Sequence, residues 1–426
     1  MMAVQRLRVG VLFGSRSVEH DVSIVTAVQA MAAMDRAKYE VIPIYVTKEG
    51  RWLTGEALAH LDTYRDPQGL KPALRAYLSP EPQDGVLVQP RSWGRRLLRQ
   101  VQELRLDVTF PCLHGTHGED GTLQGLLELA NVPYVGTGVV GSAVGMDKII
   151  MKAAFAAAGL PLLPYRWFPR SQWEREPATV LAEIKRNLAY PLFVKPANLG
   201  SSIGISQARN RDELEAALAI AAQYDRRLLV EQALERAIEI NCSVLGNDDP
   251  QPSVCEQPVP WAEFLSYEDK YLRGGGKAAG MASIDRRIPA PIPDELAQRI
   301  QAAAVTAFRA TDCAGVARVD LLVDDPARAA PSAENSKRAA LAAEASGAFY
   351  VNEINTIPGS LSFYLWEASG LSYPELIDRL IALALERHRD KQRTITTFES
   401  TVLAHAAGSS LKQGGPQPSR PDEPSR

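Results

Sequence analysis

The sequence predicts an α/β protein of three units, and three observations carry that prediction. Short apolar runs ending in glycine or proline alternate with stretches whose apolar residues recur at helical spacing, as strands joined by helices do. At 426 residues the chain is too long for one unit of roughly 150 residues and suits two to four. Its hydrophobic content of 46% is enough for ordinary globular cores.

The first unit, 1–147, opens with "LRVGVLFG" (7–14), a strand ending at glycine, followed by the helix "DVSIVTAVQAMAAM" (21–34). "YEVIPIYVT" (39–47), "DVTFPCLH" (107–114) and "VPYVG" (132–136) read as further buried strands, with the helix "TLQGLLELA" (122–130) between the last two. Strand and helix in alternation imply a parallel, Rossmann-like sheet with ligands near the strand C-termini. The stretch 48–100, rich in Pro, Arg and Gly, shows no clear period. The second unit, 148–235, begins around the helix "MDKIIMKAAFAAAGL" (146–160) and holds the strands "YPLFVKP" (190–196) and "RLLVEQAL" (227–234). The third, 236–400, contains "EINCSVLG" (239–246), the helix "DELAQRIQAAAVTAFRAT" (294–311), the strand "GVARVDLLVD" (315–324) and "VNEINTIPGSL" (351–361), a strand that runs into a turn. Between these last two lies an alanine-rich insertion, 325–348, read as a surface excursion. The tail, 401–426, lacks apolar periodicity and is expected to be disordered.

Composition excludes several classes of function. Forty-seven basic and fifty acidic residues leave a net charge of -3, so no global field draws the chain to nucleic acid or to a membrane surface. Cys112, Cys242, Cys255 and Cys313 are far apart in sequence and form no C-x-x-C pair, which speaks against a zinc ribbon or a disulfide scaffold and for a reducing cytoplasm. The N-terminus has no secretory h-region, and no apolar run approaches ~18 residues. "GTGVVG" (136–141) matches a dinucleotide-binding fingerprint, but no acidic residue follows roughly 20 positions on to hold a ribose, so a nicotinamide or flavin site is not expected. His114 and His117 have ligand-like spacing but no helix to align them and no second pair.

In "VNEINTIPGSL" a period of two sends Val351, Glu353 and Asn355 to one face and Asn352, Ile354 and Thr356 to the other. Alone, E-x-N describes a strand with one wet face. Beside "MDK" (146–148), "FVKPANLGSSIGIS" (193–206), "LLVEQALERAIEI" (228–240), "GVARVDLLVD" and "HGTHGEDGTLQG" (114–125), it resembles the ATP-grasp fold and, in detail, the D-alanine-D-alanine ligase family. The resemblance spans nearly the whole chain outside 48–100, the insertion and the tail. It implies ATP held between the second and third units, and a reaction in which ATP phosphorylates a D-alanine carboxylate before a second D-alanine amine attacks. Such chemistry gathers anions, so it needs a divalent cation on the phosphates and fixed positive charge around the transferring group.

By that resemblance Asp320, Glu353 and Asn355 are oxygen ligands for two Mg²⁺ ions, with Mn²⁺ as the alternative and Glu353 bridging. Lys148 and Lys195 bind the ATP phosphates, and "NLGSSIG" (198–204), with Ser201 and Ser202, closes over them. Glu231 accepts from the adenine amino group, the backbone at Ala233 and Leu234 lies alongside, and Glu239 holds the ribose. Arg318 reaches the transferring phosphoryl group, Gly359 donates its N–H to the oxyanion, and Glu19 binds the first D-alanine's ammonium, linked through Ser201 to Tyr271. Lys270 sits beside Tyr271 in the loop 264–281, which contains no histidine and therefore resembles the amide-forming members, not the ester-forming ones. His114 falls near the substrate. The implied partners are ATP and D-alanine, with no nucleic acid and no membrane, in a cytoplasmic homodimer.

One departure stands out. Where many such ligases carry a Ser-Leu pair that anchors the second substrate's carboxylate, this chain has Tyr364-Leu365, leaving Tyr364, Ser360 and Ser362 as candidates. Two rival readings remain: an ATP-grasp ligase with another second substrate such as D-serine, and an ATP-binding module without turnover. The first differs only in substrate residues; the second would be expected to lack a metal ligand or the arginine, and both are present.

Overall fold

The computed structural model describes residues 6–66, 68–82, 86–89, 102–201, 203–235, 237–259, 286–324 and 347–400. They form three sheets. The first contains β1 (Leu7–Gly14), β2 (Tyr39–Val46), β3 (Trp52–Thr54), β4 (Leu74–Leu78), β5 (Val86–Gln89), β6 (Gln102–Leu104) and β7 (Val108–Pro111), in the order β6-β5-β4-β3-β2-β1-β7. Only β2, β1 and β7 are parallel; from β3 outward the pairing is antiparallel. The expected parallel sheet is thus one end of it, with β7 at the edge, and the stretch after 48 builds an antiparallel extension. The strand expected at 132–136 reduces to one bridge, Thr109 to Tyr134. Pro133 has no N–H for a ladder, and Gly136 turns the chain away at φ +94°.

The second sheet contains β8 (Tyr165–Pro169), β9 (Leu192–Pro196), β10 (Ser206–Ala208) and β11 (Arg227–Gln232), antiparallel in the order β10-β9-β11-β8. The helices Pro177–Asn187 and Arg211–Tyr224 bury Val180, Ile184, Leu214 and Leu218 against its Phe168, Val194, Leu228 and Val230. The third contains β12 (Ala237–Gly246), β13 (Gln251–Pro258), β14 (Arg286–Arg287), β15 (Gly315–Asp324) and β16 (Phe349–Asn355), antiparallel in the order β14-β13-β12-β15-β16.

The cores do not follow the sequence divisions at 147/148 and 235/236. The helix Lys148–Ala157 buries Met151 and Phe155 in the third sheet's core, with Ile240, Val319 and Ile354. It starts later than the expected 146, because Asp147 is extended (φ -89°, ψ 101°) and caps it, accepting from the N–H groups of Ile149 and Ile150 at 3.1 Å each. The helix Tyr373–Lys391 returns to the first sheet and packs Leu376, Leu380 and Ala384 with Val9, Phe13 and Phe110. Among the described residues no helix is long and apolar enough to cross a membrane.

One local feature overturns an expectation. Asp320 pairs with Glu353 but Leu321 pairs with Val351, so Asn352 is an extra residue in β16, a bulge. Val351 therefore joins Ile354 in the core, and Asn352 joins Glu353 on the polar side. The strict period of two does not hold across this strand.

Candidate active site

The polar groups converge where the second and third sheets meet. Arg318 and Asp320, two apart on β15, share a face; Arg318 Nε and Nη2 donate to the two Asp320 oxygens at 2.6 and 2.7 Å. Asn355 Nδ2 donates to the same carboxylate at 3.0 Å. Both members of the pair are buried. Burial disfavours the Arg318 charge, but Asp320 more than offsets this and raises its pKa well above the usual value. Glu353, the cross-strand partner of Asp320, faces Lys148, with Oε2 at 3.5 Å from Nζ.

A divalent cation fits this donor set. With Nδ2 committed to Asp320, Asn355 can turn its Oδ1 outward, next to two carboxylates of the hard kind such ions prefer. Among the described residues no group of three His, Cys, Asp or Glu could hold a metal. Two carboxylates and one carboxamide suit an ion that completes its shell with water and phosphate oxygens.

The two expected phosphate lysines are brought to this edge. Lys148, first residue of its helix, donates through Nζ to the Leu199 carbonyl at 2.9 Å. Lys195 on β9 reaches Glu231 Oε2 at 2.7 Å and Asn352 Oδ1 at 3.2 Å. Glu231, expected to face adenine, is enclosed by ammonium groups: its other oxygen is paired with Lys152. Burial pushes this carboxyl up, but Lys152 and Lys195 outweigh it and hold the pKa below the usual range. Ala233 N–H is committed to the Pro191 carbonyl at 2.9 Å, Leu234 accepts from Ala237 N–H, and Glu239 lies on β12 opposite Leu322.

Glu19 heads the helix His20–Ala33 and is buried, and Ser201, left-handed at φ 54°, donates its hydroxyl to Glu19 Oε1. A Cβ at Gly200 would lie only 2.6 Å from Glu19 Oε2, so the loop comes this close because it has none there. A cavity of about 40 Å³ is lined by Glu19, Glu119, Lys148, Gly200, Glu353 and Asn355, joining the ammonium-binding candidate to the metal-binding candidates. Ser202, Lys270 and Tyr271 lie outside the described residues.

His114, expected near the substrate, has both ring nitrogens engaged. It is buried, with Nδ1 at 2.8 Å from the Ile357 carbonyl and Nε2 at 2.9 Å from Thr26 Oγ1. Burial lowers its pKa to about 4. It ties the helix His20–Ala33 to the turn after β16, where Ser360, Leu361 and Ser362 follow Gly359 at φ 51°, 55° and 50°. Three left-handed residues in a row are strained, and neighbours hold them: Ser360 N–H donates to Thr26 Oγ1 at 3.2 Å and Ser360 Oγ to Gln29 at 2.8 Å. Ser362 is fully buried. Tyr364 donates its hydroxyl to Glu256 Oε1 at 3.2 Å beneath the Arg286 guanidinium, 3.8 Å from the ring centroid. Burial and then Glu256 push its pKa up to about 12.

Sequence reasoning missed three residues here. Glu119 accepts from Ile357 N–H at 2.7 Å and Gly115 N–H at 3.0 Å, and burial with the neighbouring Glu19 pushes its carboxyl up to about 8. It stood in view in "HGTHGEDG". Lys152 could have been noticed as a charge among the apolar positions of its helix, whereas Asn352 was hidden by the bulge.

A model of the D-ala D-ala ligase N-terminus matches residues 8–137, and one of the C-terminus matches 154–336 and 330–382. The D-alanine-D-alanine ligase of Geobacillus kaustophilus is 43% identical over 399 residues, 92% of this chain and 99% of that protein. That of Heliobacterium modesticaldum is 44% identical over 395 residues, 91% of this chain and 97% of its own. Among solved structures, the D-alanine-D-alanine ligase from Coxiella burnetii is similar with a TM-score of 0.70 at 29% identity, covering 95% of this chain and 99% of that one. The VanG D-Ala:D-Ser ligase from Enterococcus faecalis gives 0.71 at 30%, covering 89% and 100%. Fold and site together define an ATP-grasp enzyme, which uses ATP and a divalent metal. The chain belongs to the D-alanine-D-alanine ligase family.

Proposed function

We propose that this chain joins two D-alanine molecules into D-alanyl-D-alanine with ATP, through a D-alanyl phosphate, and so supplies peptidoglycan precursor synthesis. The observation that carries the reading is the buried Arg318–Asp320–Asn355 network beside Glu353 and Lys148, sharing one edge with the Ser201–Glu19 contact. In the first step a carboxylate oxygen of D-alanine attacks the γ-phosphorus and ADP leaves. In the second, the neutral amine of another D-alanine attacks the acyl carbon and phosphate departs with the oxygen it gained.

Glu19 anchors the first ammonium, with Ser201 and Tyr271 closing above it. Lys148, Lys195 and Ser202 hold the phosphates, with Lys270 beside them; the backbone at Ala233 and Leu234 faces the base and Glu239 the ribose, while Glu231, with both oxygens held by ammonium groups, backs Lys195 instead of reaching adenine. Arg318 stabilises charge on the transferring group, and the Gly359 N–H stabilises the oxyanion. Asp320, Glu353 and Asn355 would hold two Mg²⁺ ions, or Mn²⁺, whose charge offsets the gathered phosphates. Of the candidates for the acceptor's carboxylate, Ser360 is committed to Gln29, Ser362 is fully buried and Tyr364 donates to Glu256, so Tyr364 is retained only for the Arg286 guanidinium over its ring, whose positive charge suits a carboxylate.

D-serine as acceptor is the second reading, and the likeness to the VanG ligase is what supports it. A cytoplasmic homodimer is part of the first reading. With ATP, Mg²⁺ and D-alanine, the purified protein should release ADP and form the dipeptide. Glu353→Gln should stay folded yet lose at least ~10³-fold in turnover, the scale of losing several kcal/mol of charge stabilisation, and Asp320→Asn should lose as much turnover and also stability, because it leaves the buried Arg318 without its counter-ion. Near-normal ADP release by either variant, or mainly D-alanyl-D-serine from mixed substrates, would overturn the reading.

A further inference from the structure

Lys152 has no part in the reaction as described, yet it is only 1% exposed. Its helix sends the preceding residue, Met151, into the third sheet's core, and Lys152 itself turns toward β11 of the second sheet. There it pairs with Glu231 Oε1, while Lys195 occupies Oε2 at 2.7 Å. Lys152 Nζ also lies 3.5 Å from the Asn352 carbonyl, and the Asn352 side chain binds Lys195 at 3.2 Å. Four elements therefore meet around one carboxylate shared by two ammonium groups, and Glu231 is 2% exposed.

One counter-ion would suffice to keep a buried carboxylate charged, so the second needs a reason. Lys195 lies at the cleft edge and is assigned to the nucleotide phosphates, a reading on which this inference rests. To serve an incoming anion it must give up Glu231. Were Lys195 the sole partner, the move would strand a buried carboxylate without compensation, which is strongly unfavourable. Lys152 cannot follow it, being sealed between helix and sheet.

We propose that Lys152 is the permanent counter-ion of Glu231, and that it acts as a positioning residue by freeing Lys195 to transfer its charge to the phosphates of ATP. Its removal should matter to ligands that carry phosphate and not to the nucleoside alone. A purely structural ion pair would affect both alike.

The test measures dissociation constants for ATP and, by competition, for adenosine in Lys152→Met, Lys195→Met, Glu231→Gln and the double variant Lys152→Met/Glu231→Gln. Lys152→Met should weaken ATP by at least about tenfold while adenosine changes by less than about threefold. In the Glu231→Gln background the same change should alter ATP binding by less than about threefold, because no carboxylate is left to strand. That comparison stands even if Lys152→Met alone does not fold, since the double variant removes both charges of the buried pair and in Glu231→Gln the sealed Lys152 can shed its proton and stay neutral. Unchanged ATP affinity in Lys152→Met, with a large loss in Lys195→Met, would sink the inference and leave the phosphate reading intact. Equal losses for ATP and adenosine, or an undiminished ATP loss in the double variant relative to Glu231→Gln, would also overturn it. No effect of Lys195→Met on ATP would defeat the phosphate reading and this inference together.

Discussion

His114 shows how a side chain of suggestive chemistry can be committed to architecture. Both ring nitrogens are engaged and its pKa falls from 6.5 to about 4, so the folded state resists a proton that the unfolded chain accepts near 6.5. Stability from this group is complete above 6.5 and is lost as pH drops toward 4, by up to roughly 3 kcal/mol. Glu119 runs the other way: its raised pKa, about 8 against 4.5, makes stability fall as pH rises through that interval. The two are separated by comparing urea stability of the parent and His114→Gln across pH 4 to 6.5. The variant should lose the His114 part of the slope; an unchanged slope would mean that the imidazole is not held neutral. At this scale the sequence named residues that the fold brings to one edge, but not their neighbours. "MDK", "RVD" and "NEIN" mark Lys148, Asp320 and Glu353 by their resemblance to the ligase family's motifs, but nothing in the order of residues reveals that Lys152 and Lys195 share Glu231.

Among the elements, those with long, clean periods were legible: β1 matches its expected limits, and the helix Asp294–Ala310 differs by one residue. The strands β3 to β6 have three to five residues each, too few for alternation to rise above a stretch rich in Pro, Arg and Gly. The bulge at Asn352 could not be read, since one inserted residue exchanges the faces of everything before it. The helix Tyr373–Lys391 went unread although Ser372 and Glu375 form a capping box and a proline stands in its first turn. The ends of β15 and β16 bear on the insertion between them. Val323 pairs with Phe349 and Asp324 N–H donates to the Ala348 carbonyl at 3.0 Å, so the two ends are already adjacent. Replacing 325–346 by a short glycine-containing turn should shift Tm by no more than a few degrees, because loop-closure entropy changes slowly with length. A large fall in Tm would show that the excised segment contributes to the packed body.

Across the whole molecule, the chain closes on itself: its last long helix completes the core of its first sheet, and Arg387 on that helix donates to the Tyr134 carbonyl at 3.1 Å. The first unit therefore depends on residues about 370 positions later. Leu380 is 0% exposed in that core, so Leu380→Ala should cost about 2–5 kcal/mol in urea unfolding. A change below ~1 kcal/mol would show that the contact is peripheral. Glu19 at the head of the helix His20–Ala33, Ser201 in the loop after β9, Lys195 on β9, and Arg318 and Glu353 on the third sheet meet at a common edge. Such an edge suits a reaction that activates a carboxylate with phosphate and then replaces the phosphate with an amine. The direct measurement is the fate of the carboxylate oxygen. With D-alanine whose carboxylate carries heavy oxygen, each phosphate released should contain one heavy atom, because the bond broken in the second step lies between the acyl carbon and that oxygen. Phosphate free of the label, with dipeptide still forming, would contradict the acyl phosphate and the account built on it.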